Sequence, residues 1–575
     1  MDFFKKIFSI VTQIPVIDII KQYPFLFALG LAIFFGYIFN ALVIYIVPPN
    51  NVDSLSTHMS RVAFWLQHGD YFPWETPRKW QVIYPVNAQL QMYWNVLFSR
   101  TDRFVGYVQY LAAICSAVAI AGISRINQAS YKQSVFAGSI FLSLPFIVLQ
   151  STTTQNDLIT CALFITSIYF FFYGMIEQKR SAFIITGITI GLAVGTKQTL
   201  FFLLPPYLIL MLLSWLVFKK VRFSDLFHLG WVSILTFFLI GSQIFIINQI
   251  KYSNPLGPTE TIKYQSTGII TSDNVVELTV LNTTRFMYQM ADLSGLPDPL
   301  WGYGIKFKAL VSKPIFSLLN IDVESPQGVY PGHEFSLLKR YPLQEDFAWC
   351  GPLGFIILLP LMLIELISGL RKKNLYRISI SIFYVLYFLF LVVFRPGWDP
   401  YQGRYFMPII ALATPLTAFW IQDTKLSKRL SWIGSIIAIS TLLSCLFLNP
   451  AKTITGGRSI WNMDRTQLLS IQNTYMIDSM ILIENELPLD TILGIATTGS
   501  YYPDYMFFGA DFSRKIIPVY PSDKIDDYQW IKYNNIEYIL VFSGEGYPST
   551  ALPYLQLLTK TNVCKLYKVD HFYQE

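Results

Sequence analysis

The chain reads as an all-α polytopic membrane protein of about eleven transmembrane helices with a small extracytoplasmic C-terminal α/β domain. Three observations predict this. Of 575 residues, 53% are apolar and only 14% charged, against roughly 25% charged in soluble domains. Eleven apolar runs have the length of a membrane span. Basic residues gather at alternate ends of those runs. A soluble multidomain enzyme, a disordered chain, a coiled coil and a collagen are excluded with the same figures. The net charge of +7 is too dilute for a nucleic-acid surface. Five cysteines without paired spacing exclude a disulfide scaffold or a zinc cluster.

The runs cover residues 24–47, 104–124, 134–150, 158–177, 181–196, 200–218, 227–249, 352–370, 375–394, 405–422 and 430–449. Lys5 and Lys6 precede the first, which reads as an uncleaved anchor. Ala182–Phe218 is too long for one span, and Gly195 and Thr196 are placed to turn the chain inside it. With the N-terminus cytoplasmic, the inner turns hold Lys21, Arg125, Lys132, Lys179, Arg180, Lys219, Lys220, Arg222, Arg371–Lys373, Arg377, Lys425, Lys428 and Arg429. Merging the fifth and sixth runs would put Arg371–Lys373 outside, against the positive-inside pattern.

Two domains are expected: a membrane domain over 1–449, with outer loops 48–103 and 250–351, and an outer domain over 450–575. In the first loop, Leu55, Met59, Val62, Ala63 and Leu66 form one stripe at helical spacing. That stripe predicts a helix over Asp53–Gln67 lying on the outer membrane surface. A second helical run covers Asn87–Phe98. In the tail, Thr491–Thr497, Lys515–Pro521 and Tyr538–Ser543 are β-rich, and Arg465–Leu487 and Asp526–Asn535 look helical.

Ionisable groups at a membrane boundary are the informative ones. Asp53 directly follows the first span, and Asp157 lies in the short turn Gln155-Asn156-Asp157. Each is placed either to cap a helix or to do chemistry. Lys197, Arg395 and Arg404 break the charge pattern by sitting on short outer turns. They are either snorkelling cations or an anion site for a membrane-anchored phosphate. Carboxylates with cations at one face suit group transfer from a lipid phosphate. An acid takes the acceptor's proton, and cations hold the charge of the leaving phosphate. No Gly-rich phosphate loop or H-E-x-x-H motif competes.

The sequence resembles the GT-C superfamily of integral membrane glycosyltransferases, in its protein O-mannosyltransferase and aminoarabinose transferase-like branch (glycosyltransferase family 39-like). The residues that carry the resemblance are Asn51-Val52-Asp53-Ser54 through Val62 with Trp65, then Gln155-Asn156-Asp157-Leu158, Gly195-Thr196-Lys197 and Gly403-Arg404-Tyr405. The resemblance implies a GT-C-like fold, a polyprenyl-phosphate sugar as donor, a glycan, lipid or protein acceptor, and inverting transfer on the outer side of the plasma (inner) membrane. It implies Asp53 as catalytic base, supported by Asp157, and Lys197 and Arg404, with Arg395, on the donor's lipid phosphate. His58 and Arg61 are expected as supporting partners on one helix face. Several relatives carry two adjacent acids where this chain has Asp53-Ser54, so neither a metal nor another cofactor is expected. Two other readings remain open. One is an O-antigen-ligase or polymerase-like enzyme built on His333 with Arg285, Lys339 and Arg340. The other is a lipid-linked sugar transporter.

Overall fold

The computed structural model describes residues 23–264, 273–395, 397–422, 424–497, 502–542 and 552–573, with backbone only at 264 and 358–363. Lys5, Lys6 and Lys21 lie outside the described residues, as do Pro396 and Ser543. The protein is a multi-pass membrane protein. All eleven expected runs are helical. Among the described residues, seven helices are long and apolar enough to cross a membrane: Pro24–Ile46, Tyr107–Ile126, Asp157–Glu177, Gln198–Val217, Phe223–Gly241, Leu375–Phe394 and Lys425–Phe447. The other four runs are shorter, interrupted or incompletely described. Tyr131–Ser143 and Pro145–Gln150 are separated by Leu144, whose extended backbone follows from the proline after it. Arg180–Val194 has 15 residues. Gly351–Lys372 includes the six residues of backbone alone. Pro400–Trp420 alternates 3-10 and α turns.

The turn expected at Gly195 and Thr196 is present: one helix ends at Val194 and the next begins at Gln198. Gly187, Gly191 and Gly195 recur every fourth residue, so they share one face of that helix. A Cβ on Gly187 would lie 2.6 Å from the Leu229 carbonyl oxygen, and one on Gly191 2.6 Å from that of Ser233. Small residues at this spacing let two membrane helices touch along their backbones. The sequence reading overlooked this ridge.

The amphipathic stretch departs from its expected setting. It forms a π-helical turn over Ser54–His58 and an α-helix over Met59–His68. Leu55, Met59, Val62 and Ala63 are buried as the stripe requires, but so are Phe64 and Trp65. The helix is therefore covered by protein on both of its sides. The C-terminal segment covers its other side. Gln67 exchanges two hydrogen bonds with the Ile516 backbone, at 2.9 and 2.8 Å. The Tyr505 amide donates to Ser60 Oγ at 3.1 Å, and Phe508 meets Phe64 edge-on at 5.1 Å. A stripe identifies the most buried face but cannot show that a distant segment buries the opposite one.

In the tail, β1 (Ile492–Ala496), β2 (Lys515–Pro518) and β3 (Tyr538–Phe542) match the three β-rich runs. Two more strands, β4 (Leu555–Lys560) and β5 (Cys564–Val569), complete a sheet of order β2-β1-β3-β5-β4. The first three strands are parallel and the last two antiparallel. The helix expected over Arg465–Leu487 is broken into Arg465–Ser470, a turn, and Ile477–Glu486.

Candidate active site

Four chain segments from distant parts of the sequence meet at one end of the helices. The first loop brings Asp53, His58 and Arg61. The turn before Asp157–Glu177 brings Gln155 and Asp157. The turn after Val194 brings Lys197. The segment ahead of Met407 brings Arg395, Asp399, Arg404 and Tyr405. Local bonds fix each turn. Ser54 Oγ accepts from Thr154 Oγ1 at 2.6 Å, joining the first two segments. Asn156 Nδ2 donates to the Thr196 carbonyl at 3.2 Å, joining the second and third. Gly403 approaches the Trp349 ring so closely that a Cβ would stand 2.6 Å from it. The same ring donates through Nε1 to the Pro400 carbonyl at 3.1 Å.

All seven expected residues, Asp53, His58, Arg61, Asp157, Lys197, Arg395 and Arg404, line a single cavity of about 750 Å³. Neither Asp53 nor Asp157 caps a helix through its side chain. The acids and cations, read from the sequence as two separate sets, interlock. Arg404 Nη1 lies 2.6 Å from Asp53 Oδ2, and Lys197 Nζ bonds Asp157 Oδ1. Arg395 has no acid within ion-pair distance among the described residues. It donates to the Tyr405 hydroxyl at 2.9 Å, and its Nε is buried without a partner. The three cations do converge, on the Tyr405 ring: Lys197 at 4.6 Å, Arg395 at 4.8 Å and Arg404 at 5.7 Å from its centroid.

His58 bonds Gln89 through Nδ1, and burial pulls its imidazole down to about 4, so it is neutral at pH 7. Arg61 is buried and braces the cavity wall. It donates to the carbonyls of Gln81 at 2.5 Å and of Pro85 and Trp80, each at 3.1 Å, and to Gln89 Oε1 at 3.4 Å. Burial pushes the Asp53 carboxyl up, but the Arg404 charge pulls it further down, so its net position is below the ordinary carboxylate range.

The sequence reading missed two acids. Asp346 lines the cavity from the segment ahead of Gly351. Burial, then repulsion by Asp53, raise it to about 7 against the pull of Arg404. Asp399 also lines the cavity, raised by burial to about 6. Asp346 is held in place by its neighbour Glu345, which takes Lys452 Nζ at 2.5 Å and Asn449 Nδ2 at 3.2 Å, while its backbone carbonyl accepts from Gln150 Nε2 at 2.9 Å. Adjacent acids in a loop otherwise rich in polar residues carry no local sign of such burial. Thus Ser54 is no second acid, but a second acid is present 293 residues further along the chain.

Residues 85–241 match the family described as dolichyl-phosphate-mannose-protein mannosyltransferase. No curated protein matches the sequence. Among solved structures, ArnT from Cupriavidus metallidurans in the apo state is 10% identical, with 94% of this chain and 98% of that chain covered at a TM-score of 0.53. ArnT from the same organism bound to undecaprenyl phosphate gives 10%, 94%, 97% and 0.53. The archaeal oligosaccharyltransferase AglB from Archaeoglobus fulgidus is 13% identical over 91% of this chain and 70% of that chain, at 0.46. The fold is that of the ArnT structures along nearly the whole chain.

Proposed function

We propose that this protein is a membrane glycosyltransferase that moves a sugar from a polyprenyl-phosphate-linked donor to an acceptor on the extracytoplasmic face, with inversion. One observation carries the reading: Asp53, Asp157, Lys197, Arg395 and Arg404 share one cavity at the ends of the spans. A lipid-anchored phosphate and a water-borne acceptor both reach such a place. The likeness to the ArnT structure bound to undecaprenyl phosphate supports a lipid phosphate as the donor's anchor.

Each residue has a role in this scheme. Arg395, without a carboxylate partner, receives the phosphate first, and Lys197 and Arg404 share its charge as the sugar leaves. Asp157 orients Lys197. Asp53 takes the proton from the acceptor hydroxyl as the oxygen attacks the anomeric carbon from the face opposite the phosphate. His58, neutral, and Arg61 hold the wall behind Asp53. Arg404 lies 2.6 Å from Asp53 and 3.8 Å from Asp346. A guanidinium thus supplies the positive charge between these two acids, and the scheme uses no metal.

A transporter would carry its polar cavity near the midplane between repeats, not among outer turns. The ligase-like reading fares worse still. Only His333 of its four residues lines the cavity. Arg285 is spent on the carbonyls of Val323 and Gln327, and Arg340 pairs with Asp298.

The test is donor identification. Purified protein is offered a panel of polyprenyl-phosphate sugars, and released polyprenyl phosphate is detected by mass. Release from one donor, abolished in Asp53→Asn, is expected. Binding of donor with sugar left attached under every acceptor tried would sink the transferase reading.

A further inference from the structure

Two acids of the cavity, Asp346 and Asp399, have no role in the scheme above, and Asp346 is the one that shares a cation with Asp53. Asp346 is buried in the cavity wall on the segment ahead of Gly351. Gln155 Nε2 donates to its Oδ1 at 2.7 Å and Asn51 Nδ2 at 3.3 Å. Arg404 Nη1 stands 3.8 Å from the same oxygen and 2.6 Å from Asp53 Oδ2. One guanidinium nitrogen therefore serves two carboxylates. Where like charges share a single counter-charge in a poorly solvated wall, the pair retains a proton that two isolated carboxylates would lose.

We propose that Asp346 is the proton-sharing partner of Asp53, taking up the proton that Asp53 removes from the acceptor and so restoring the Asp53–Arg404 ion pair. The inference rests on the transferase reading. In the transfer, the acceptor O–H bond breaks with its proton going to Asp53, and the acceptor oxygen bonds to the anomeric carbon. The bond from that carbon to the phosphate oxygen breaks, and its electron pair stays on the lipid phosphate. The proton then moves from Asp53 to Asp346 through the solvent that a cavity of this size admits. Asp346 touches no reacting atom; it is a positioning residue that acts through Asp53.

The surroundings favour this division of labour. Burial and the Asp53 charge bring the Asp346 carboxyl to about 7, while Asp53 lies below its ordinary range. The other charged and titratable groups around the pair are His58 from the first loop, Lys197 from its turn, Tyr401 from the segment of Arg404, and Glu345 next in sequence. Glu345 is balanced by Lys452. Arg404 stands 2.6 Å from Asp53 and 3.8 Å from Asp346, so a proton held by this pair belongs to Asp346 more than to Asp53.

Infrared titration of the substrate-free protein tests the sharing directly. The parent is expected to show a protonated-carboxyl band that fades as pH rises through about 7 and that is missing from Asp346→Asn. Should Asp346→Asn not fold, Gln155→Leu removes the 2.7 Å donor and is expected to move the fading to higher pH. A neutral-pH band unchanged in either variant overturns the proposal. In the transfer assay, the parent rate is expected to rise with pH through about 7, because Asp346 must be unprotonated to accept. Asp346→Asn should lose that limb and about tenfold in turnover, with donor KM unchanged, a smaller loss than the roughly 10²–10⁴ expected of the base itself. A parental pH profile in Asp346→Asn, with only melting altered, would mean that Asp346 merely anchors its loop. Failure of every donor in the parent would fall on the transferase reading alone, since the infrared result needs no substrate.

Discussion

Asp53 sits 2.6 Å from Arg404 and is 32% exposed to the cavity, so replacing it tests chemistry with little cost to packing. Asp53→Asn keeps the side chain's size and removes its basicity. Turnover should fall about 10²–10⁴-fold, with melting nearly that of the parent; parental turnover would move the base role elsewhere. Lys197 behaves differently, because it neutralises Asp157, which is only 3% exposed. Removing one partner of a buried pair strands the other and costs about 3–5 kcal/mol. Lys197→Ala should therefore lower both lipid-phosphate binding and melting temperature. The double variant Lys197→Ala/Asp157→Asn should recover much of the melting but none of the binding. If the double variant binds lipid phosphate like the parent, Lys197 is a snorkelling cation. The two acids and three cations were legible because each breaks a local rule: an acid just outside a span, or a base on an outer turn. Their pairing was not, because no local rule says which acid meets which cation.

At the scale of elements, the Gly187-Gly191-Gly195 face positions the turn that carries Lys197. A Cβ at Gly191 would meet the Ser233 carbonyl oxygen at 2.6 Å, and one at Gly195 would strike Asn87 and Gly241. Asn87 Nδ2 holds the Leu192 carbonyl at 3.0 Å, and its amide holds that of Gly195 at 3.1 Å. Gly191→Val should cost about 1–3 kcal/mol by overpacking, read as a lower melting temperature in detergent. Gly195→Ala should cost a similar amount and raise the donor KM as well, because it displaces the Lys197 turn. An unchanged KM in Gly195→Ala would separate the turn's geometry from donor binding. The buried helix Met59–His68 makes the complementary point. Its stripe predicted which residues are most buried, yet its setting depended on the tail laid across it.

At the scale of the molecule, buried ion pairs join the tail to the first loop. Arg78, only 1% exposed, pairs with Asp504, also 1% exposed, and Arg78 Nε meets Asp504 Oδ2 at 3.0 Å. Arg465 and the Tyr505 hydroxyl both reach Asp102 Oδ2, each at 2.5 Å. Asp504→Ala removes the carboxylate from a buried guanidinium and should destabilise the protein by about 3–5 kcal/mol, measured by thermal unfolding. An unchanged melting temperature would mean that the tail is not docked on this loop. The same docking implies one topology: first loop and tail share a side of the membrane. A reporter fused after Glu575 should be active only in its extracytoplasmic form, and a cytoplasmic signal would overturn the orientation. The sequence by itself determined that the chain is a multi-pass membrane protein, where its apolar runs and turns fall, and which charged residues stand out. Those follow from the cost of placing polar groups in hydrocarbon, a property of each short stretch on its own. Only the tertiary structure decided that Asp346 joins Asp53 at Arg404, that the tail buries the amphipathic helix, and that, of Lys197, Arg395 and Arg404, Arg395 is the cation with no acid paired to it among the described residues. Such pairings depend on distance and local dielectric between residues hundreds of positions apart, and neither quantity is written in any one segment.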